Sequence, residues 1–568
     1  MRTHRGVSLR SFGHWSVLSL WAATSLLGCA PLDGGEGLGD SGTSALEDRE
    51  LSDKASTSSD IVGKVFAGYQ GWFRANGDGS PQNAWSHWSR GTTPSPNNQT
   101  FELWPDVREF TTTFQTNYRA LGNGQPARLF SSWTPSTVDT QVEWMKTYGI
   151  DGSAIQRFGS ELVDSKAKAM RDGFSNQVRK ASEAHGRKFY IMYDISSWSS
   201  FQTQIKSDWT NTIVKGLNLT SSSAYARHNG KPVVSIWGMG FTDRPGSRSQ
   251  CLDVIAWFKA QGCYVIGGVP SGWRSSGGDS KSGFSDVYAQ FDMLSPWTVG
   301  RFASIAGADN WRTNLTNDWN TCRGRGQDYQ PVTFPGFAWS NWNGGKRNQI
   351  PRLHGDFMWR QFANIKQVGI PSAYVAMFDE FDEGTAISKA AEDSSMAPTN
   401  QYFLTLDADG TRVSSDFYLR LVGDANRMRK GQTSLTWSHP TPHFAAAPPS
   451  LPACTNRGAT AGPDTRLAVG ECLKSSDGRF AAILQGDGNF VVYMRGGGAL
   501  WSSGTNGTGA NRMSVQSDGN AVLYASSGPR WDSGTAGKGA SNLTMRDDGN
   551  LVLRTLAGAV TWASNSPK

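Results

Sequence analysis

One nine-residue pattern recurs three times in the last hundred or so residues, and it limits that end of the chain to a narrow set of folds. It reads Gln485-Gly-Asp487-Gly-Asn489-Phe-Val491-Val-Tyr493, then Gln516-Ser-Asp518-Gly-Asn520-Ala-Val522-Leu-Tyr524. The third copy, Arg546-Asp-Asp548-Gly-Asn550-Leu-Val552-Leu-Arg554, carries arginine in place of the outer Gln and Tyr. The copies start 31 and 30 residues apart, and Trp501, Trp531 and Trp562 follow them in turn. A period of this length implies similar supersecondary units that bury one shared core. Asp-Gly-Asn is turn material, with Gly at positive φ. The alternation after it puts Val491 and Tyr493 on one face of a half-buried strand. Gln, Asp and Asn supply donors and acceptors, and Tyr adds a hydroxyl beside an apolar ring. That set suits a pyranose with adjacent hydroxyls, so the pattern points to a glycan-binding module over residues 462–568.

The repeat resembles that of the bulb-type mannose-binding lectins. The resemblance implies an all-β β-prism with threefold pseudosymmetry and a mannose-type glycan as partner. Matched position by position, it assigns one sugar site to Gln485, Asp487, Asn489 and Tyr493, and a second to Gln516, Asp518, Asn520 and Tyr524. The third copy is expected not to bind, because Arg546 and Arg554 replace two of the four groups.

At the other end, Arg2, Arg5 and Arg10 precede an apolar segment from Val17 to Gly28, too short to span a bilayer as a mature helix. It closes with Leu26-Leu27-Gly28-Cys29, which resembles the lipobox of bacterial lipoproteins. The expectation is a signal peptide over residues 1–29, lipidation at Cys29, and an exported product that is an outer-membrane or cell-surface lipoprotein, or secreted. Contact with a membrane would then be through the lipid alone. Residues 30–60, rich in Gly, Ser, Asp and Glu, read as a flexible tether. In an oxidising compartment Cys251 with Cys263 and Cys454 with Cys472 are expected to pair, leaving Cys322 free. No Cys or His grouping has zinc-site spacing. A formal charge of +7 is small for 568 residues and does not identify nucleic acid as a partner.

Between tether and lectin-like repeat, residues 61–436 read as one α/β domain, followed by a Pro/Ala-rich linker at 437–461. Nine short apolar or aromatic runs read as strands: Lys64–Tyr69, Ala127–Ser132, Gly152–Arg157, Lys188–Tyr193, Pro232–Trp237, Tyr264–Gly268, Ala289–Leu294, Thr333–Trp339 and Ala373–Phe378. Amphipathic helices fit between several of them, at Asp139–Tyr148 and Cys251–Ala260 for example. Strand, helix, strand in this rhythm means a parallel sheet, and eight units close into a (β/α)8 barrel. An open doubly wound sheet is the alternative. No Gly-rich phosphate loop follows any strand, so nothing here asks for a nucleotide or other cofactor. Aromatic and carboxylate groups recur at the strand ends, and the chain has 23 tryptophans. Because sugar faces stack on aromatic rings while their hydroxyls bond to carboxylates, Tyr69, Trp72, Asp151, Asp194, Trp237, Asp292, Trp297, Trp339, Asp379 and Asp382 are the candidate substrate contacts.

The sharpest constellation is Met377-Phe-Asp379-Glu380-Phe381-Asp382-Glu383-Gly384-Thr385, four carboxylates in five residues directly after an apolar strand. Crowding beside a buried strand raises at least one pKa. Glycoside hydrolysis needs one protonated and one ionised carboxyl at the scissile bond. The segment resembles the Glu-x-x-Glu-Gly-Thr region of glycoside hydrolase family 99 and its family 71/99-like relatives. Val65-Phe-Ala-Gly-Tyr69-Gln-Gly-Trp72-Phe73 and Trp144-Met-Lys-Thr-Tyr-Gly149-Ile-Asp151-Gly152 resemble that group as well. The resemblance implies a retaining endo-acting (β/α)8 enzyme. In it Glu380 assists the substrate's own 2-hydroxyl, and Glu383 is the general acid and then the base. Asp379 and Asp382 stand where the family usually has Asn and His, which changes the charge around the pair. This mechanism needs a 1,2-trans glycoside, with α-mannan the leading polysaccharide substrate and no metal required. Family 71 behaviour would instead give an α-glucan hydrolase, and loss of catalysis a surface glycan-binding adhesin.

Overall fold

The computed structural model describes residues 58–444, 451–495 and 499–566. The expected signal peptide, the Cys29 lipidation and nearly all of the tether lie outside the described residues. The chain divides into two compact units, one ending at His443 and the other starting at Phe444.

The first unit is built on a curled sheet whose main path is parallel throughout, with the short strand Arg227–His228 pairing antiparallel beside it on Lys231–Pro232. Its strands are β1 (Val65–Tyr69), β2 (Gly152–Phe158), β3 (Lys188–Asp194), β4 (Lys231–Trp237), β5 (Tyr264–Val269), β6 (Met293–Pro296), β7 (Asp328–Tyr329), β8 (Val332–Thr333) and β9 (Ala373–Val375). Pairing runs β7-β6-β5-β4-β3-β2-β1-β9-β8. The two ends of this path, β7 and β8, are separated in the chain only by Gln330 and Pro331. Proline has no N–H for a ladder, so one segment serves β6 with its first half and β9 with its second. The helices fall where local chemistry starts them. In α1 (Pro135–Thr147) a proline opens the first turn, and in α2 (Ser165–His185) Asp164 accepts from the Ala167 N–H at 2.8 Å. A capping box of Ser247 and Gln250 begins α3 (Arg248–Ala260).

Three expectations from sequence need correction. Ala127–Ser132 is not a strand of the sheet; Arg128–Leu129 pairs instead with Phe114–Gln115 in a separate small ribbon. Ala289–Leu294 and Thr333–Trp339 are out of register with β6 and with β8, because short apolar runs mark a strand without marking its ends. Cys251 and Cys263 are free, buried thiols, whereas Cys454 and Cys472 form the disulfide. The first of these pairs was never within reach: Cys251 lies in the first turn of α3 and Cys263 just beyond its end. Helical rise alone carries the chain about 14 Å from Cys251 to the end of the helix at Ala260, against a bridging limit of about 7 Å.

Inside the sheet, side chains alternate between the interior and the helices. Tyr69 faces outward, its ring against Phe174 of α2 and its hydroxyl donating to Gln141 of α1. Gly68 faces inward, where a Cβ would lie 2.1 Å from both Met377 Cε and the Tyr374 hydroxyl. The Tyr374 ring is fully buried and its hydroxyl is engaged by Gln156, so it has little room to retreat. Gly68→Ala is therefore expected to lower unfolding free energy by about 2 kcal/mol or more, read as a lower denaturant midpoint at unchanged slope.

In the second unit each repeat folds as three antiparallel strands. These are Phe480–Leu484, Phe490–Met494 and Ala499–Ser502; Ala510–Val515, Ala521–Ala525 and Gly528–Asp532; and Ser541–Met545, Leu551–Thr555 and Val560–Ala563. A short strand from the start of the unit completes each sheet: Glu471–Lys474, Arg466–Ala468 and Thr460–Ala461 respectively. The three tryptophans meet edge to face, with ring centroids 5.3–5.7 Å apart. Glycine is required in the Asp-Gly-Asn turns. Gly519 has φ +91°, and a Cβ there would come within 2.2 Å of the Gly539 carbonyl.

Candidate active site

A cleft of about 290 Å³ opens at the C-terminal ends of the strands of the first unit. Its aromatic lining includes Trp72, Phe158, Trp237, Phe241, Trp297, Phe337, Trp339 and Trp342, and its carboxyls are Asp194, Asp243, Glu380 and Glu383. Trp237 and Trp297 pack edge to face at 5.5 Å. Trp72 stacks on His87 at 4.0 Å and on Phe158 at 5.0 Å.

The acidic loop after β9 is held rigidly from its own backbone outward. Met377 and Ile387 pair across it, while the Thr385 and Ala386 N–H groups both donate to the Glu380 carbonyl. Phe381 is buried against Phe73, Trp88 and Phe130, with centroids 5.6–5.8 Å away. The Asp379 carboxyl accepts from the backbone N–H groups of Gln70 (2.7 Å) and Gly71 (2.9 Å), tying the loop to the residues just beyond β1. Gln70 Nε2 donates to Glu380 Oε2 at 2.6 Å, and His87 Nδ1 meets Asp382 Oδ2 at 2.7 Å.

Burial shifts all four carboxyls upward. It takes Glu383 to about 7 and, against the two backbone donors, Asp379 to about 7. Glu380 rises well above the carboxylate range through burial, then repulsion from Glu383 and Asp379, with the Gln70 amide pulling the other way. Asp382 rises through burial and then its three acidic neighbours, while burial followed by Arg74 and Arg171 lowers the His87 ring. Both of these shifts favour a neutral Asp382–His87 pair. The Glu380/Glu383 pair thus retains a proton near neutrality, because two like charges in a desolvated wall cannot both be ionised there.

Of the residues nominated from sequence, Trp72, Asp194, Trp237, Trp297, Trp339, Glu380 and Glu383 line this one cleft. Asp194 Oδ1 accepts from the Ser196 N–H, and burial raises its pKa. Asp379 and Asp382 stand behind the lining as supports, and Tyr69 faces the helices. Asp151 and Asp292 lie at the opposite, N-terminal ends of β2 and β6. There they accept from the Val65 and Val265 N–H groups and pair with Lys430 and Lys259. They are strand clamps, remote from the cleft. Sequence reading missed Gln70, Gln156, Arg244 and Arg301, which line the cleft, and His87, which reaches it only through Trp72 and Asp382. For Gln70 and Gln156 the strand alternation was the available sign.

In the second unit the first two repeats build the same constellation twice. Gln485 Nε2 donates to the Tyr493 hydroxyl at 2.9 Å and Gln516 Nε2 to that of Tyr524 at 3.0 Å. The Asn489 and Asn520 N–H groups donate to Asp487 and Asp518. The amide oxygens of these asparagines are occupied by Ser503 with Thr505, and by Ser533 with Thr535. The Asn489 NH2, the outer carboxylate oxygens and the tyrosine hydroxyls remain for a ligand, while the Asn520 NH2 also reaches Asp532 Oδ1 at 3.5 Å. In the third repeat Arg546 forms an ion pair with Asp548 at 2.8 Å.

No protein-family model matches the chain. A monomeric monocot mannose-binding lectin from Gastrodia elata is 31% identical, over 19% of this chain and 99% of its own, with a TM-score of 0.18. The C-terminal segment is similar to lectins of this kind. The B-type lectin plumieribetin of Scorpaena plumieri is 45% identical over 62 residues, 11% of this chain; the chain spans about half (53%) of that curated relative. The first unit is similar to the family 99 endo-α-mannosidase of Bacteroides thetaiotaomicron. That likeness covers 65% of this chain and 99% of the enzyme, at 15% identity and a TM-score of 0.47.

The raised carboxyls have a consequence for stability. A carboxyl whose folded pKa exceeds its unfolded value of about 4.3 favours the fold fully below that value and loses the benefit as pH rises through the folded one. For Glu383 and Asp379 that window runs from about 4 to about 7. The melting temperature of the first unit is expected to fall across it. Glu383→Gln should flatten the fall and melt a few degrees higher than wild type at pH 8, as followed by calorimetry.

Proposed function

We propose that the chain is an exported retaining endo-glycoside hydrolase that acts on a 1,2-trans polysaccharide, α-mannan first among candidates, and is targeted by its lectin unit. The observation that carries this is the pair of pKa-raised carboxyls, Glu380 and Glu383, set in the wall of an aromatic cleft at the C-terminal strand ends. We read the curled sheet as a (β/α)8 barrel whose seventh strand is split at Pro331, with the site on the face where such barrels carry catalysis. The lectin unit is read as a β-prism.

Burial and its acidic neighbours favour the pair's shared proton on Glu380 in the free protein, so the first step begins once substrate has shifted that proton to Glu383. Ionised Glu380 then takes the proton of the 2-hydroxyl as O2 attacks C1 from the face opposite the leaving oxygen. Glu383, protonated, gives its proton to that oxygen as the C1–O bond breaks, leaving a 1,2-anhydro sugar. Water then adds at C1 and gives a proton to Glu383, while the opened O2 recovers its proton from Glu380. Two displacements at C1 retain configuration. Trp237, Trp297 and Trp339 offer stacking faces along the cleft, with Trp72 closing its wall between His87 and Phe158, and Asp194 offers an acceptor for ring hydroxyls. A lectin unit joined by a short linker would raise the effective concentration of polymer near the cleft.

Product release should be followed by NMR on α-mannan, α-1,3-glucan, β-glucan, xylan and galactan. The expected result is α-mannan cleavage with retained configuration, reduced at least about a hundredfold in Glu383→Gln. Inversion on α-1,3-glucan would replace this mechanism by direct attack of water. Release from none of the polymers, with mannose binding intact, would favour a surface adhesin.

The lectin proposal has its own check. Titration calorimetry with methyl α-mannoside is expected to give two sites per chain. Asp487→Ala or Asp518→Ala should each leave one, and Asp548→Ala should leave both.

A further inference from the structure

Gln70 is held by its main chain and left free by its side chain. Its N–H donates to Asp379, and its carbonyl accepts from Arg171 Nη1 at 2.6 Å, Arg171 itself being almost fully buried. These two bonds fix the residue whatever its side chain. The residue is 7% exposed, and its side chain reaches the cleft wall and spends its one engaged group on Glu380 Oε2. With Glu380 ionised, as the first step requires, its carboxylate only accepts, so the amide turns its NH2 toward Glu380 and its oxygen away. Two buried acceptors then have no partner among the described residues: Gln70 Oε1 and Glu380 Oε1. Buried acceptors of this kind are satisfied in nearly all proteins, and here both belong to side chains that line the cleft. The Glu383 carboxyl, by contrast, has no protein donor among the described residues, so the amide distinguishes two acids that are otherwise similarly placed.

We propose that Gln70 is the positioning residue of the reaction. It occupies Glu380 Oε2 so that Oε1 alone faces the substrate's 2-hydroxyl, and it offers its own Oε1 to a further hydroxyl of the bound sugar. A donor on the charged form of an acid favours that form. Gln70 therefore biases the proton shared by the acid pair away from Glu380 and toward Glu383, the arrangement that the first step requires. This deepens the hydrolase reading and rests on it. The substrate feature it selects is a free hydroxyl within reach of the one that Glu380 engages.

Gln70→Met, close in size and without hydrogen-bonding capacity, and Gln70→Glu, which keeps an acceptor but adds repulsion, are the informative variants. Both retain the main-chain clamps. On α-mannan, Gln70→Met is expected to lower kcat about a hundredfold and raise KM several-fold. It should also move the acid limb of the kcat–pH profile upward by about one unit. Gln70→Glu should move that limb further. Infrared titration of protonated carboxyl bands provides a readout that needs no substrate. The band abolished by Glu380→Gln should titrate about one unit higher in Gln70→Met than in wild type. Unchanged kcat with an unmoved limb, or an unmoved infrared band, would overturn the proposal while leaving the hydrolase reading intact. A shifted band in a protein that cleaves none of the five polymers would support the Gln70–Glu380 coupling and count against the hydrolase reading.

Discussion

The site depends on one carboxyl that lies behind the cleft lining. Asp379 takes the N–H groups of Gln70 and Gly71, so the loop after the last strand of the sheet is fastened to the residues that follow the first. These bonds set where Gln70 stands, and through it the orientation of Glu380. Phe381, packed in a cage of three rings, locks the other side of the same loop. Ordinarily a run of four acids would swell into solvent. Here, backbone donors and aromatic packing hold it against its own repulsion, and the raised pKa values record the strain of that confinement.

The charge balance around the cleft follows from this. The loop cannot keep four charges in so dry a wall, so protons stay bound near neutrality. The acids are not equal, however. Asp379 has the backbone donors of Gln70 and Gly71, and Asp382 an imidazole. Glu380 has the Gln70 amide together with the Glu383 backbone, and the Glu383 carboxyl no protein donor among the described residues. Four chemically similar groups are differentiated entirely by what donates to them.

Much of this was legible in the sequence. The acidic loop, its interleaved Phe381, the parallel βα rhythm and the threefold repeat all rest on local patterns that survive without knowledge of distant contacts. What failed was direction and face. Asp151 and Asp292 sit at strand ends as supposed, but at the N-terminal ends, because a run of apolar residues does not say on which side its flanking carboxylate falls. Tyr69 was chosen where its neighbour Gln70 was the one facing inward, a one-residue error that inverts a strand's faces. Asp382's partner, His87, is 295 residues away in the chain, and no spacing rule connects them. The Cys251–Cys263 pairing failed because a helix lies between the two, a separation that counting cysteines does not see.

The Cys454–Cys472 bridge bears on how the lectin unit would carry load. The chain enters that unit through Thr455–Asn456, a two-residue strand lying parallel to Glu471–Lys474 at the edge of a sheet. So short a strand would peel from the edge under a modest pull. The bridge passes tension at Cys454 straight to Cys472, one strand further into the sheet, where antiparallel bonds to Phe480–Leu484 share it. Were the unit gripping an insoluble polymer while the rest of the chain strained against it, the load would bypass the short edge strand and fall on the antiparallel body of the sheet.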